Sequence, residues 1–506
     1  MKAFLMNADE DFDMQRALPG NEAALTQDLE LNTLFGAMAA GDAFLFEVAK
    51  RAVLTGLTDP EAITYRQQVL RDCLANPSLV RELYELAAEA IGAERKVFGS
   101  LFRDSPSAIV HRSVQVLELL AGFLSRLREI ADLHAGSFSS PGFRKFFATL
   151  AQQLDEEYMA LVEGHLKELK FRGGMLISAQ LGSGNHGAGH ALRRAREPGW
   201  RERISFLDRS GYSFTIPDRD ESGYRALREL EDKGLNLVAN ALAQSTEHVL
   251  RFLTALRIEI GFYVACLNLH ERLAEKGEPT CFPVPTRPGE ATLSAEGLYD
   301  VCLALTIDQR VVDNEINADH KSLVMITGAN QGGKSTILRA VGLVQLLMQA
   351  GMFVAGESLR ANVCDGVFTH YKREEDDTME SGKLDEELRR MSEIAESIKP
   401  NCMLLCNESF SSTNEREGSE IARQIVRAMI DEGVKVLFVT HQFDLAHGFY
   451  VAHLPLALFL RAKREADGQR TFEITEGEPL PTSYGEDSYR KIFGESIKNP
   501  AHARLS

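Results

Sequence analysis

The chain has 506 residues, with 56 Lys and Arg against 73 Asp and Glu for a formal net charge of −17. This length allows roughly three or four domains and excludes a peptide or a disulfide-stapled miniprotein. The acidic balance excludes bulk charge as the means of holding nucleic acid or an anionic membrane, so any such contact must come from a local basic patch.

The opening residues, MKAFLMNADEDFDM, lack the apolar stretch of a secretory signal. No run approaches the ~18 apolar residues of a membrane span, so a cytoplasmic protein without membrane contact is expected. Helix follows helix up to about residue 275. Asp59-Pro60 and Asn76-Pro77 each set a capping side chain before a proline at the first helical position. From Ser113 to Leu133 apolar residues recur at three and four, one buried stripe. A basic cluster follows: Lys167, Lys170, Arg172, Arg193, Arg194, Arg196, Arg201 and Arg203, opposed by Glu168, Glu197 and Glu202. Its two readings are a solvated face and a surface for a phosphate backbone. Within it Met175–Leu181, Ile204–Leu207 and Tyr212–Ile216 read as strands, the last two joined by a turn at Asp208–Gly211, and Gly182–Gly189 reads as a flexible loop. The longest helical pattern runs from Tyr224 to Lys276 without proline. Unbroken, it would reach roughly 80 Å, so it either breaks at Gly234 or Gly261 or acts as a strut. Pro279, Pro283 and Pro285 end the helical half.

Beyond them short apolar strands alternate with helices. Leu323–Ile326 reads as a buried strand, followed by Gly328-Ala329-Asn330-Gln331-Gly332-Gly333-Lys334-Ser335, the full phosphate-loop pattern. Glycines let backbone N–H groups curl around phosphate, Lys334 neutralises the β and γ phosphates, and Ser335 offers a hydroxyl to Mg²⁺. ATP and Mg²⁺ are therefore the expected ligands, and Ile337–Met348 is the helix that meets the anion. A second strand, Met403–Cys406, ends in Asn407-Glu408, with Glu408 the candidate base. Asn407 stands where an aspartate is expected. Either Mg²⁺ is held by Ser335 and the phosphates with Asn407 bonded to a metal-bound water, or hydrolysis is impaired and the site is a slow switch. A third strand, Val436–Val439, ends in Thr440-His441, an imidazole placed to sense the γ phosphate or to position water. The seven cysteines (Cys73, Cys266, Cys281, Cys302, Cys364, Cys402, Cys406) are scattered among apolar residues and read as buried thiols.

Thr327-Gly328-Ala329-Asn330-Gln331-Gly332-Gly333-Lys334-Ser335-Thr336 resembles the nucleotide loop of MutS-type ATPases, T-G-P-N-M-G-G-K-S-T. The resemblance continues through Phe353-Val354-Ala355, Cys402–Glu408, Ser412-Thr413-Asn414, Glu417-Gly418, Phe438–His441 and Thr482-Ser483-Tyr484-Gly485. Ile63–Gln67 and Asn76-Pro77 look like the start of that family's helical core, and the long helix looks like its lever arm. The resemblance implies a multidomain protein: an all-α helical core and lever region with a small strand-bearing insert, then an α/β P-loop (ABC-like) ATPase domain. The corresponding divisions are 1–142 for the core, 143–277 for the levers with a clamp-like insert at about 167–220, and 278–506 for the ATPase domain. It also implies a homodimer with composite nucleotide sites, working as a clamp around DNA with repair proteins as further partners. Asn330 would contact the γ phosphate or attacking water, Ser381 would reach the partner's nucleotide, and Arg193, Arg194, Arg196, Arg201 and Arg203 would face DNA.

Two departures bear on function. Ser411-Ser412-Thr413 replaces a glycine-containing turn, and no Phe-x-Glu reading loop precedes the helical core; Phe46-Glu47 lies in an apparent helix and lacks the intervening residue. The second argues against reading a single mismatched pair by wedge insertion. The expected function is an ATP-hydrolysing clamp on mismatched, branched or distorted DNA. The alternative is a nucleotide-dependent switch or scaffold for a protein or RNA partner. A transporter-type ATPase is disfavoured because no L-S-G-G-Q run precedes Cys402.

Overall fold

Side-chain caps set most helix starts in the first half of the chain. After α1 (Glu22–Asp28) and α2 (Leu31–Ala39), α3 (Ala43–Leu54) opens on Asp42, and α4 (Pro60–Ala75) on Asp59, whose carboxylate accepts from the N–H groups of Glu61 and Ala62. Asn76 closes α4, its N–H and Nδ2 both donating to the Asp72 carbonyl, and directly precedes Pro77, the first residue of α5 (Pro77–Lys96). Ser105, Ser140 and Asp155 cap α6 (Pro106–His134), α7 (Pro141–Gln153) and α8 (Glu156–Glu168). The computed structural model describes residues 1–97, 105–194, 214–329, 331–373, 382–464 and 470–481.

These residues form two units that cut across the linear order: Met1–Leu5 with Ser78–Ile260, and Met6–Pro77 with Gly261–Ser506. In the first, β1 (Leu176–Leu181) pairs antiparallel with β2 (Gly187–Arg193). The stretch expected to be a glycine loop is therefore a short turn, closed by Gly182 N–H on the His186 carbonyl at 2.8 Å, and then a strand. The other expected strand pair falls on residues 195–213, outside the described residues, and Phe214–Ile216 is not in a strand. α9 (Glu221–Glu275) is continuous over 55 residues, so Gly234 and Gly261 do not break it. Gly234 serves close approach instead: a Cβ there would stand 2.7 Å from Ile177 Cδ1 of β1. Leu235 and Ala239 of α9 share a core with Val110, Val114 and Leu166.

Composition understated two apolar helices. α6 and α9 each contain an 18-residue window apolar enough to cross a membrane; the α9 window is 78% buried within the protein and the α6 window 33% buried, with Val110, Val114, Leu120 and Leu124 of α6 in the core.

The second unit is mixed α/β. Its strands are β3 (Thr280–Cys281), β4 (Val284–Thr286), β5 (Leu293–Leu298), β6 (Asn314–Asn317), β7 (Leu323–Thr327), β8 (Val354–Ala355), β9 (Ser358–Asn362), β10 (Val367–Tyr371), β11 (Met403–Asn407), β12 (Lys435–Val439), β13 (Ala457–Arg464) and β14 (Arg470–Glu476). The helices between them are α10 (Val301–Thr306), α11 (Lys334–Gln349), α12 (Lys383–Ser397), α13 (Glu415–Asp431) and α14 (Phe443–Val451). The main sheet runs β10-β11-β12-β7-β13-β14, parallel throughout except β14. Strands covered on both faces read as unbroken apolar runs, and every residue of β7 and β12 is buried. Arg66 of α4 knits this unit together. It is 1% exposed and donates to the carbonyls of Met6 and Ala350 at 3.0 Å and to Asn7 Oδ1 at 2.9 Å.

Candidate functional site

The residues singled out after three separate strands meet at one end of the main sheet. Asn407 of β11 lies opposite Val439 of β12, and Val439 opposite Ile326 of β7. Glu408 N–H then donates to the Val439 carbonyl at 2.9 Å and Thr440 N–H to the Ile326 carbonyl at 3.1 Å, which ties the three following turns together. In parallel α/β sheets ligands sit at this carboxyl end.

The loop 328–333 joins β7 to α11, which starts without a side-chain cap. Gly333 has a φ of 88°, and a Cβ there would meet Phe472 O at 3.3 Å, so bare backbone leads into a helix N-terminus of the kind that binds anions. Lys334, 6% exposed, donates to the carbonyls of Gly328 at 2.9 Å and Ala329 at 3.2 Å and lies 4.0 Å from Glu408 Oε1. Burial pushes its ammonium below the ordinary lysine range, against the opposing pull of Glu408. A bound anion would offset that desolvation.

Ser335 Oγ donates to Asn407 Oδ1 at 2.9 Å. Glu408 sits at a φ of 54°, a left-handed conformation that side chains other than glycine adopt at a cost of about 1 kcal/mol or more. Its Oε2 accepts from His441 N–H at 3.1 Å and from His441 Nδ1 at 2.5 Å. That bond raises the His441 pKa above the ordinary imidazole range, with burial opposing it. Nδ1 thus carries the proton, and among the described residues Nε2 has no hydrogen-bond partner. The turn is backed by His370, fully buried, whose Nδ1 faces Ser409 Oγ at 2.7 Å and whose Nε2 faces the Glu387 carbonyl at 3.0 Å.

A cavity of about 470 Å³ adjoins the loop. Gln331, Gly333, Thr336 and Ile337 form its loop side, and Leu303, Val311, Val312 and Phe472 its apolar walls. Sequence reasoning missed these walls, because three distant stretches build them and none carries a signature. The larger cavity, about 710 Å³ between α1, α3 and β10, contains no residue of the loop. Asn330 and Ser381 lie outside the described residues, as do Thr482–Gly485.

Could these groups hold Mg²⁺? Among the described residues no three His, Cys, Asp or Glu side chains converge. Ser335 and Asn407 offer neutral hard oxygens and Glu408 one carboxylate. This donor set suits Mg²⁺ only when phosphate oxygens supply further ligands.

The basic cluster is less positive than its sequence suggests. Arg194 pairs with Glu168, Lys167 with Glu163 at 3.6 Å and Lys170 with Glu118 at 2.6 Å. Arg193 Nε donates to Ser178 Oγ at 2.8 Å. Arg196, Arg201 and Arg203 lie outside the described residues.

Residues 58–276 match the MutS2 N-terminal domain model and residues 324–486 the MutS domain V model. The chain belongs to the MutS family. It is 29% identical over 274 residues to a DNA mismatch repair protein MutS of Thermus aquaticus, covering 54% of this chain and 32% of that one. The corresponding MutS of Streptococcus mutans is 29% identical, covering 44% and 26%, and the mismatch repair protein MSH3 of Candida glabrata is 25% identical, covering 43% and 22%. The chain thus matches about a third or less of these MutS-family relatives' own length.

Proposed function

We propose that the α/β unit binds ATP with Mg²⁺ on the loop 328–336 and hydrolyses it, and that a homodimer uses this cycle to gate a clamp on mismatched, branched or distorted DNA. The observation that carries the first part is the convergence of Lys334, the Ser335–Asn407 pair and the Glu408–His441 pair at the ends of three adjacent parallel strands. The adjoining cavity has the size and apolar walls to take a nucleoside.

Lys334 neutralises phosphate charge, and the backbone of Gly328–Gly333 with the first turn of α11 cradles it. Mg²⁺ adds further charge neutralisation when bound with the phosphates through Ser335. Glu408 accepts the proton of the attacking water, while His441 holds that carboxylate in place through two hydrogen bonds to one oxygen. The names of the family relatives support DNA as the partner, and Arg193 and Arg194, exposed at the end of β2, are the described residues of the basic cluster proposed to face it.

The alternative, a slow switch acting on protein or RNA, draws on Asn407, whose amide brings no negative charge to a metal, and on the ion pairs that neutralise the basic cluster. Steady-state hydrolysis with homoduplex, mismatched, branched and single-stranded DNA separates the two. A clamp changes its turnover with one of these, and its DNA affinity falls steeply with salt. Turnover indifferent to every DNA selects the switch.

A further inference from the structure

The wall of the cavity beside the phosphate loop is held from behind. Leu303, Ile307, Arg310, Val311 and Val312 line it, and they belong to α10 and the irregular stretch that follows, residues 307–313. Such a stretch has no ladder of its own to hold its shape, so its backbone groups need partners from elsewhere. Two charged side chains just past the end of α9 supply them. Lys276 Nζ donates to the Ala304 carbonyl at 2.8 Å and the Ile307 carbonyl at 2.6 Å. These are carbonyls at the C-terminal end of α10, where a cation is favoured. Glu278, 5% exposed, accepts from Val311 N–H at 2.9 Å through Oε1.

The second oxygen of Glu278 shows that packing alone did not place this carboxylate. Oε2 is buried without a hydrogen-bond partner among the described residues, 4.0 Å from the Arg310 guanidinium. Burying a carboxylate with one oxygen unsatisfied is costly, and the single strong bond it makes goes to the cavity wall. Lys276 and Glu278 thus grip the wall at both ends, at positions 304–307 and 311. Neither lines the cavity itself.

We propose that Lys276 and Glu278 are positioning residues that set the affinity of this cavity for the nucleoside part of a nucleotide by fixing residues 303–312 as its wall. The proposal rests on the nucleotide reading above and adds to it the split between base and phosphate recognition. Phosphate is held by the loop and Lys334, which the two side chains do not touch. Because α9 ends at this grip, a shift of its last turn changes the wall, and reciprocity then makes nucleoside binding bear on the last turn of α9.

The test compares ATP with inorganic tripolyphosphate, which carries the phosphates and no nucleoside, by calorimetric titration. Lys276→Ala and Glu278→Ala should each weaken ATP about tenfold, the effect of losing hydrogen bonds to a charged group, and leave tripolyphosphate within about twofold. Glu278→Gln keeps an oxygen for Val311 N–H and should restore most of the ATP affinity, which a merely unfolded site could not do. Equal weakening of both ligands, or no weakening of ATP, overturns the proposal. If the unaltered protein binds neither ATP nor tripolyphosphate, it is the nucleotide reading itself that fails.

Discussion

Glu408 and His441 show how much a single turn can specify. The carboxylate leaves β11 in a left-handed conformation at a φ of 54° and the imidazole follows β12, yet their side chains meet at 2.5 Å because the register sets Asn407 beside Val439. Both residue types and their strand-end positions were legible in the sequence. Their direct hydrogen bond was not, since it depends on the order of strands in the sheet. His370 was missed altogether: on β10 it reads as one more strand residue, and only the fold puts it under the Glu408 turn. Burial, with Arg390 adding to it, pushes His370 down to about 4. An exposed imidazole titrates near 6.5, so between pH about 6.5 and about 4 the unfolded chain binds a proton that the folded protein does not. The stability from the neutral ring is complete above that window and is lost as pH falls through it. His370→Gln should flatten the decline in thermal midpoint between pH 6.5 and 4 relative to the unaltered protein, as read by scanning calorimetry; parallel slopes would contradict the assignment.

Elements were legible where periodicity and capping agreed. α4, α6, α9 and the three strands β7, β11 and β12 stand close to where apolar spacing put them. The closing role of Asn76 was not legible: its Nδ2 turns back to the Asp72 carbonyl of α4, which its place before Pro77 does not reveal. The β1–β2 pairing was misread because Gly187 and Gly189 suggested a loop, whereas the local alternation of the strand is carried by only seven residues. α13 shows an element placed by a close approach. Gly418 lies so near the Glu408 turn that a Cβ would stand 2.2 Å from Phe410 O and 2.7 Å from Gln442 Nε2. A backbone carbonyl at that distance cannot yield without moving the turn. Gly418→Ala should therefore lose about 2 kcal/mol in denaturant unfolding and lower turnover with little change in ATP affinity. Unaltered stability would mean that α13 slides freely against the turn.

For the whole molecule, the sequence distinguished a helical half from an α/β half, but not which pieces fold together. Residues 6–77 belong with the C-terminal α/β region, through contacts such as Arg66 to the Ala350 carbonyl and Gln67 to the Pro283 carbonyl at 3.0 Å. No linear reading of composition reveals bonds across more than 200 residues. Charge behaves likewise: the net −17 is plain from the sequence, whereas the pairing of Lys170 with Glu118 and Arg194 with Glu168 needs the fold. The central claim concerns the α/β unit, that its three strand ends form one site for ATP hydrolysis. It is tested most directly by phosphate release and ATP binding measured side by side for the unaltered protein, Lys334→Ala and Glu408→Gln. The account predicts that Lys334→Ala loses binding and turnover together, and that Glu408→Gln binds ATP within about threefold of the unaltered protein while turning over at least about 100-fold more slowly. Undiminished turnover in Glu408→Gln, or an unaltered protein that does not bind ATP, would contradict it.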